Sequence, residues 1–310
     1  MNGLALVFPG QGSQTLGMGR RLYQEFPAAR EVFEEASEAA GLDLKKLCFE
    51  GPADKLELTE FTQPCLLAAS LAAHRVLDKE TGLRPMVAAG HSLGEWSALA
   101  AAGALKLADA AAAVHERGKW MDRAVPAGLG AMAAVMKLPR EQIEQACRSA
   151  ARGEVAAPAN DNAPDQVVIS GHAGAVARAL EMIKQMGGRT RMLKVSGPFH
   201  TLLMKPAADR MDELLAGIHC SGFSFPVIAN VDARAYPGPD RIRRGLVAQM
   251  TSPVRWRESV EEMAGRGAEL FIEVGPGRVL AGLIQRILPG ARVFSMSEPE
   301  DLNEIKAAIS

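Results

Sequence analysis

Gly90-His91-Ser92-Leu93-Gly94 is the segment whose residue types and spacing point to chemistry. In a G-x-S-x-G pattern the serine can stand on a sharp strand-to-helix turn with its hydroxyl exposed, and the flanking glycines leave room for the tight backbone. Met86-Val87-Ala88-Ala89 reads as a short buried strand before it, and the Ala-rich stretch Glu95 to Ala102 as a helix after it, which is the context such a turn requires. The helix N-terminus would bring backbone N–H groups and a positive dipole end to the serine, suited to a developing oxyanion. A pattern this short also arises by chance, so the serine needs a base before it reads as a nucleophile.

Histidine is the usual base, and the chain has six: His74, His91, His115, His172, His200 and His219. His74 and His115 fall within expected helices and His172 opens one, so each reads as a surface or packing residue. His219 lies in a loop without polar company, and His91 adjoins the serine, which turns its side chain away. His200, in Gly197-Pro198-Phe199-His200-Thr201, follows a junction between two units of the chain, where loops line clefts. On position alone a structural histidine is the competing reading. Arg117, in His115-Glu116-Arg117-Gly118-Lys119, reads on its own as an ordinary solvated helical charge.

The elements that must position these groups follow from hydrophobic patterning. Leu4-Ala5-Leu6-Val7-Phe8 is a continuous apolar run, as in a parallel strand buried on both faces, and the flexible turn Gly10 to Gln14 follows it. Pro27 stands where a helix would begin, with Ala29, Val32, Phe33, Ala36 and Ala40 behind it at helical spacing. Another helix is expected over 63–79. Strand and helix alternating in this way indicate an α/β domain. The middle of the chain has strands at 131–137, 154–158, 166–170 and 190–195 and helices at 139–151 and 172–186, the β-α-β-β-α-β order of a ferredoxin-like unit. The α/β pattern then resumes: a strand near 225–230, helices near 239–250 and 257–266, a strand at 270–274, a helix near 278–288 and a strand at 292–296. The expected organisation is a discontinuous large domain, 1–127 with 197–310, carrying an inserted small domain at 128–196.

Bulk properties narrow the classes. The chain has 310 residues, 48% of them hydrophobic, and a net charge of −1, which suits a well-buried core and argues against nucleic acid as the main partner. No apolar run approaches a membrane span, and the N-terminus has no signal-peptide pattern, so a cytoplasmic protein is expected. Cys48, Cys65, Cys147 and Cys220 are scattered without C-x-x-C spacing and read as inert thiols, with no metal site expected.

Further segments carry a family resemblance that runs nearly end to end. They are Phe8-Pro9-Gly10-Gln11-Gly12-Ser13-Gln14, Gly90 to Glu95, Arg117-Gly118 with Met121, and Gln166 to Gly171, followed by Gly197 to His200, Asn230-Val231, Ser252 to Trp256, and Glu273-Val274-Gly275-Pro276-Gly277. Together, in this order, they resemble the malonyl-coenzyme A:acyl-carrier-protein transacylases of bacterial fatty-acid synthesis and the acyltransferase domains of polyketide synthases. The resemblance implies a large α/β-hydrolase-like domain with a parallel sheet core plus the small ferredoxin-like insert. It implies Ser92 as nucleophile, His200 as general base and the backbone N–H groups of Gln11 and Leu93 as oxyanion hole. The main-chain carbonyl of Gln249 would orient the histidine in place of an acid; Asp209, the nearest downstream acid, reads as a surface group. Arg117 becomes the clamp for a malonyl carboxylate, since guanidinium pairs with carboxylate through two parallel bonds. Phe199 matches malonyl-selective members, and Asn160 and Asn162 match cleft-lining asparagines, although Asn160-Asp161-Asn162-Ala163-Pro164 reads equally well as a turn. Trp96 and Thr201 replace the commoner tyrosine and serine and are expected to tune activity.

The implied reaction is ping-pong transfer from malonyl-coenzyme A through a malonyl-serine ester to the phosphopantetheine thiol of an acyl carrier protein, with no resident cofactor. A monomer is expected. Carrier proteins are typically acidic, so Lys184, Arg189, Arg191 and Lys194, with Arg278 and Arg286 near the last helix, form a candidate docking patch. Competing readings are a serine thioesterase or other hydrolase, a non-catalytic docking subunit, and a transferase serving a polyketide or malonate decarboxylase system.

Overall fold

The computed structural model describes residues 3–309. Met1, Asn2 and Ser310, at the outer ends of the expected large domain, lie outside them. Among the described residues the strands are, in chain order, β1 (Leu4–Phe8), β2 (Val87–Gly90), β3 (Gly130–Met136), β4 (Ala156–Ala163), β5 (Gln166–His172), β6 (Arg189–Met192), β7 (Val227–Ile228), β8 (Leu270–Val274) and β9 (Arg292–Met296).

One sheet has the order β7-β2-β1-β8-β9 and every pairing in it is parallel. All five residues of β1 are buried, and the pleat divides them between two cores. Leu4, Leu6 and Phe8 join the apolar cluster built by the helices Pro27–Ala40, Thr59–Thr81 and Leu107–Arg123. Ala5 and Val7 face the helices Trp256–Gly265 and Val279–Ile287. A strand covered on both faces cannot alternate polar and apolar residues, which explains its unbroken run.

The other sheet is antiparallel, in the order β4-β5-β3-β6, and is confined to residues between Gly130 and Met192. The helices Arg140–Ala151 and Ala173–Gln185 cover one face with Ile143, Val176, Ala179 and Ile183. The chain enters and leaves this unit at neighbouring points: a Cβ on Gly130 would lie 2.3 Å from the Pro198 ring. The unit is also joined to the parallel-sheet part by main chain, with Asp161 N–H donating to Val254 O and Val254 N–H to Ala159 O.

Some details differ from the sequence reading. Asn160, Asp161 and Asn162 lie within β4, which runs on to Ala163 with two register shifts, because Val254 gives this stretch a second backbone partner. β7 is two residues long rather than a full strand. The helix around Cys65 runs Thr59–Thr81, with Pro64 in its second turn. The short helices Arg20–Glu25, Leu44–Phe49 and Ala53–Leu56 carry too few turns to show a periodic pattern.

Candidate active site

β2 ends at Gly90, and the helix Leu93–Ala101 begins directly after Ser92. Ser92 has φ 53 and ψ −103, a conformation that L residues seldom adopt and that persists only where surroundings enforce it. Close packing enforces it here. A Cβ on Gly90 would lie 1.9 Å from the Gly94 carbonyl, and one on Gly94 would lie 2.0 Å from Phe8 O. Asn230 then fastens the turn: its Oδ1 accepts from Ser92 N–H at 2.8 Å and its Nδ2 donates to Gly90 O at 2.7 Å.

Ser92 Oγ lies 2.8 Å from His200 Nε2, and His200 Nδ1 lies 2.9 Å from Gln249 O. A carbonyl oxygen can only accept, so Nδ1 carries the ring proton and Nε2 is left to accept from the serine. Burial, together with the Arg117 cation, pushes the His200 pKa down to about 3, which keeps the imidazole neutral at physiological pH.

Arg117 comes from the helix Leu107–Arg123, whose buried face includes Ala110, Val114, Arg117 and Met121 at helical spacing. Its neighbour Gly118 lets that helix approach the helix Thr59–Thr81 closely, since a Cβ there would lie 2.6 Å from Glu60 Cα. The contact brings Gln63 beside the guanidinium. Arg117 is 1% exposed, donating from Nη1 to Gln63 Oε1 at 2.8 Å and from Nη2 to Gln249 Oε1 at 2.9 Å and Ser92 Oγ at 3.3 Å. Its Nε is buried without a hydrogen-bond partner. Burial lowers its pKa to about 10, so it stays charged at neutral pH.

The remaining expected residues are placed as follows. The Gln11 and Leu93 N–H groups make no hydrogen bond among the described residues, and the turn bearing Gln11 abuts the serine turn, with a Cβ on Gly10 lying 2.3 Å from His91 O. Phe199 is buried beside His200. Asn162 Oδ1 and His91 Nε2 are 2.8 Å apart, so that histidine is turned to β4 rather than to Ser92. Asn160 is buried and bridges by main chain to Val254. Trp96 is buried, Thr201 donates to Pro198 O at 2.8 Å, and Asp209 is exposed and paired with Lys205. Among the described residues no group of three or more His, Cys, Asp or Glu could hold a metal ion.

Four residues without an assigned side-chain role in the sequence reading complete the arrangement: Gln63, Glu95, Asn230 and Tyr236. Glu95 is fully buried, accepting from Tyr236 OH at 2.5 Å on Oε1, and from Gln249 Nε2 at 2.7 Å and Asn230 N–H at 3.0 Å on Oε2. Burial raises its pKa to about 6 against the pull of those donors. Its signal in the sequence is an acid in the first turn of an otherwise apolar, Ala-rich helix.

Comparison with known proteins agrees with this geometry. Residues 5–295 match the family described as acyl transferase domain. The malonyl CoA-acyl carrier protein transacylase of Escherichia coli K12 is 48% identical over 300 residues, covering 96% of this chain and 97% of that protein. The crystal structure of the Xanthomonas oryzae malonyl-CoA:acyl carrier protein transacylase superposes with a TM-score of 0.97 at 46% identity, over 99% of this chain and 98% of that one. A malonyl-transacylase solved in complex with its type II PKS acyl-carrier protein gives 0.95 at 44% identity, over 97% and 98% of the two chains. With the match spanning both sheets and the whole of the serine site, the chain belongs to the malonyl-CoA–acyl carrier protein transacylase family of acyltransferases.

Proposed function

We propose that this enzyme transfers a malonyl group from malonyl-coenzyme A to the phosphopantetheine thiol of an acyl carrier protein, supplying fatty-acid synthesis. The observation that carries the reading is Arg117, a buried cation within 3.3 Å of the Ser92 hydroxyl whose own partners are all neutral. A guanidinium in that position can hold a free carboxylate on the acyl group while the other end of that group meets the serine.

In this reading His200 Nε2 takes the Ser92 proton, and Oγ attacks the thioester carbonyl. The N–H groups of Gln11 and Leu93 stabilise the tetrahedral oxyanion, at about 3–4 kcal/mol per donor in comparable sites. Coenzyme A leaves with the proton returned by His200, and malonyl-Ser92 remains. The carrier thiol then attacks with His200 again as base. Gln249 O supports the imidazolium that forms in each half-reaction, the part an acid plays in other triads. Phe199 packs against the acyl group and restricts its size, while Asn160 and Asn162 shape the small-sheet wall of the cleft.

The two-unit division, 1–127 with 197–310 and 128–196, and a monomeric enzyme belong to the same reading. No helix among the described residues is long and apolar enough to cross a membrane, and we place the enzyme in the cytoplasm. It needs no resident cofactor. For carrier docking, Lys184 pairs with Glu181 and Arg286 with Asp165, which leaves Arg189, Arg191 and Lys194, exposed along and after the edge strand β6, as the stronger part of the patch. The solved relative holding a polyketide carrier makes such a carrier a second acceptor worth testing.

Intact-protein mass spectrometry after brief exposure to malonyl-coenzyme A tests the reaction. A malonyl adduct is expected on the wild type, discharged by holo-acyl carrier protein, and none on Ser92→Ala. Release of free malonate at the transfer rate without a carrier would establish a hydrolase instead. Reversing the charge of Arg189 and Arg191 should raise the carrier KM; an unchanged KM removes the patch.

A further inference from the structure

Arg117 and Glu95 are the charged pair at the heart of the site, yet an amide stands between them. Gln249 Oε1 accepts from Arg117 Nη2 at 2.9 Å, and the same side chain's Nε2 donates to Glu95 Oε2 at 2.7 Å. The guanidinium's hydrogen bonds go only to neutral oxygens, those of Gln63, Gln249 and Ser92, and Nε has none. Glu95 in turn is fixed by Tyr236, Gln249 and the Asn230 N–H, with no cation against its oxygens.

Two simpler arrangements would each work against turnover. A carboxylate in direct bidentate contact would occupy the donors that a substrate carboxylate needs. A fully uncompensated buried cation would bind any anion so firmly that release would suffer, because charge attraction is strong in a dry site. An opposite charge held one amide away lies between these extremes. It offsets part of the cation's field and leaves Nε of the guanidinium without a hydrogen-bond partner.

We infer that Glu95 is the internal counter-charge of Arg117, relayed through the Gln249 amide, and that it sets how tightly the enzyme holds a carboxylate-bearing acyl group. It is a specificity-setting and positioning residue, since it touches no reacting atom. Its electrostatic link to Arg117 is mutual: the cation favours the ionised carboxylate, and the carboxylate favours the charged guanidinium. The inference deepens the proposed function and rests on Arg117 as the carboxylate clamp.

Glu95→Gln tests the charge alone, because the amide is isosteric and the Tyr236 hydroxyl can turn to accept from it. The probe is malonate as a competitive inhibitor of acyl loading. Its inhibition constant is expected to fall about tenfold in Glu95→Gln, with a lower malonyl-coenzyme A KM, slower discharge to the carrier, and acetyl loading within twofold of wild type. Glu95→Asp, which keeps the charge, should return the constant to within threefold of wild type. An unchanged or weakened malonate constant in Glu95→Gln, with that variant folded, overturns the inference. Should Glu95→Gln fail to fold, Glu95→Asp decides: malonate binding tightened there as if the charge were absent would also overturn it. Arg117→Ala separates the two levels. Malonate inhibition that survives in Arg117→Ala removes the clamp itself, whereas inhibition lost there but unmoved in Glu95→Gln removes only the counter-charge.

Discussion

Two buried carboxylates in this molecule meet their cations in opposite ways. At the seam between the sheets, Asp161 is 3% exposed and touches its cations directly, with Arg140 at 2.8 Å and Arg257 at 3.0 Å on the same oxygen. At the serine, Glu95 and Arg117 share Gln249 and do not touch. Direct contact uses up a guanidinium's donors and fixes two elements to each other: β4 and the helix Trp256–Gly265 are joined through Asp161 and Arg257. Separation by an amide leaves Arg117 hydrogen-bonded to neutral groups alone, with Nε unpartnered. The arginines differ accordingly: Arg140 and Arg257 are 29% exposed and pair with a carboxylate, whereas Arg117 is buried and its partners are neutral.

The sharpest way to break this comparison is Arg117→Ala. Malonyl loading should fall by about 10²–10³-fold, the usual loss on truncating one side of a buried charge pair, while acetyl loading is kept. Equal loss with both acyl groups would make Arg117 as structural as Arg257.

Acidification of the wild type gives a smaller effect. Glu95 ionises with a pKa of about 6, so lowering the pH through 6 protonates it and removes its negative charge. The titratable or charged groups that act on it are Tyr236 and Arg117, and the base of the site is His200. Arg117, at about 10, stays charged in this range, His200, at about 3, stays neutral, and the Tyr236 phenol, pushed up by burial, stays protonated. The malonyl-coenzyme A KM should thus decrease by roughly an order of magnitude between pH 7.5 and 5, and the decrease should vanish in Glu95→Gln. A KM that rises over this range would oppose the comparison.

Asp161→Ala should have the smallest catalytic effect. Losing charge-assisted bonds at a buried site costs about 1.5–3 kcal/mol, visible as a lower Tm, while the malonyl-to-acetyl ratio stays within twofold. A changed ratio would mean that the seam also shapes the site.

Much of this arrangement was legible in the sequence, and the part that was not has a common cause. Ser92 announces itself through local spacing, and the strand before it through an unbroken apolar run. His200 and Arg117 stand out only because the ordered segments of a known family fall on them, although Arg117 also occupies a core-facing position in the register Ala110, Val114, Arg117, Met121. Gln63 and the Gln249 side chain give no such sign, and Asn230 falls within a family segment that does not tell what its side chain does. They are ordinary amides brought to the serine from distant parts of the chain, with Ser92 N–H and Asn230 separated by 138 positions. Patterning records which face of an element is buried, but not which polar group it meets there. Glu95 is visible only as an acid opening a helix, because its partners arrive from Asn230, Tyr236 and Gln249.

The sheet order also bears on how the protein is made. β1 pairs on one side with β2 and on the other with β8, so that Leu4 lies opposite Leu270. As the chain leaves the ribosome, the first strand must wait for most of the remaining residues before its second neighbour exists. The antiparallel unit needs nothing beyond Met192 for its own strand pairings. Contacts close in sequence form sooner than distant ones, so the small sheet can be complete while the serine turn still lacks its full support. The Ser92 turn also needs Asn230, and His200 needs Gln249 O, so a nascent chain cannot assemble the site before residue 249 has emerged.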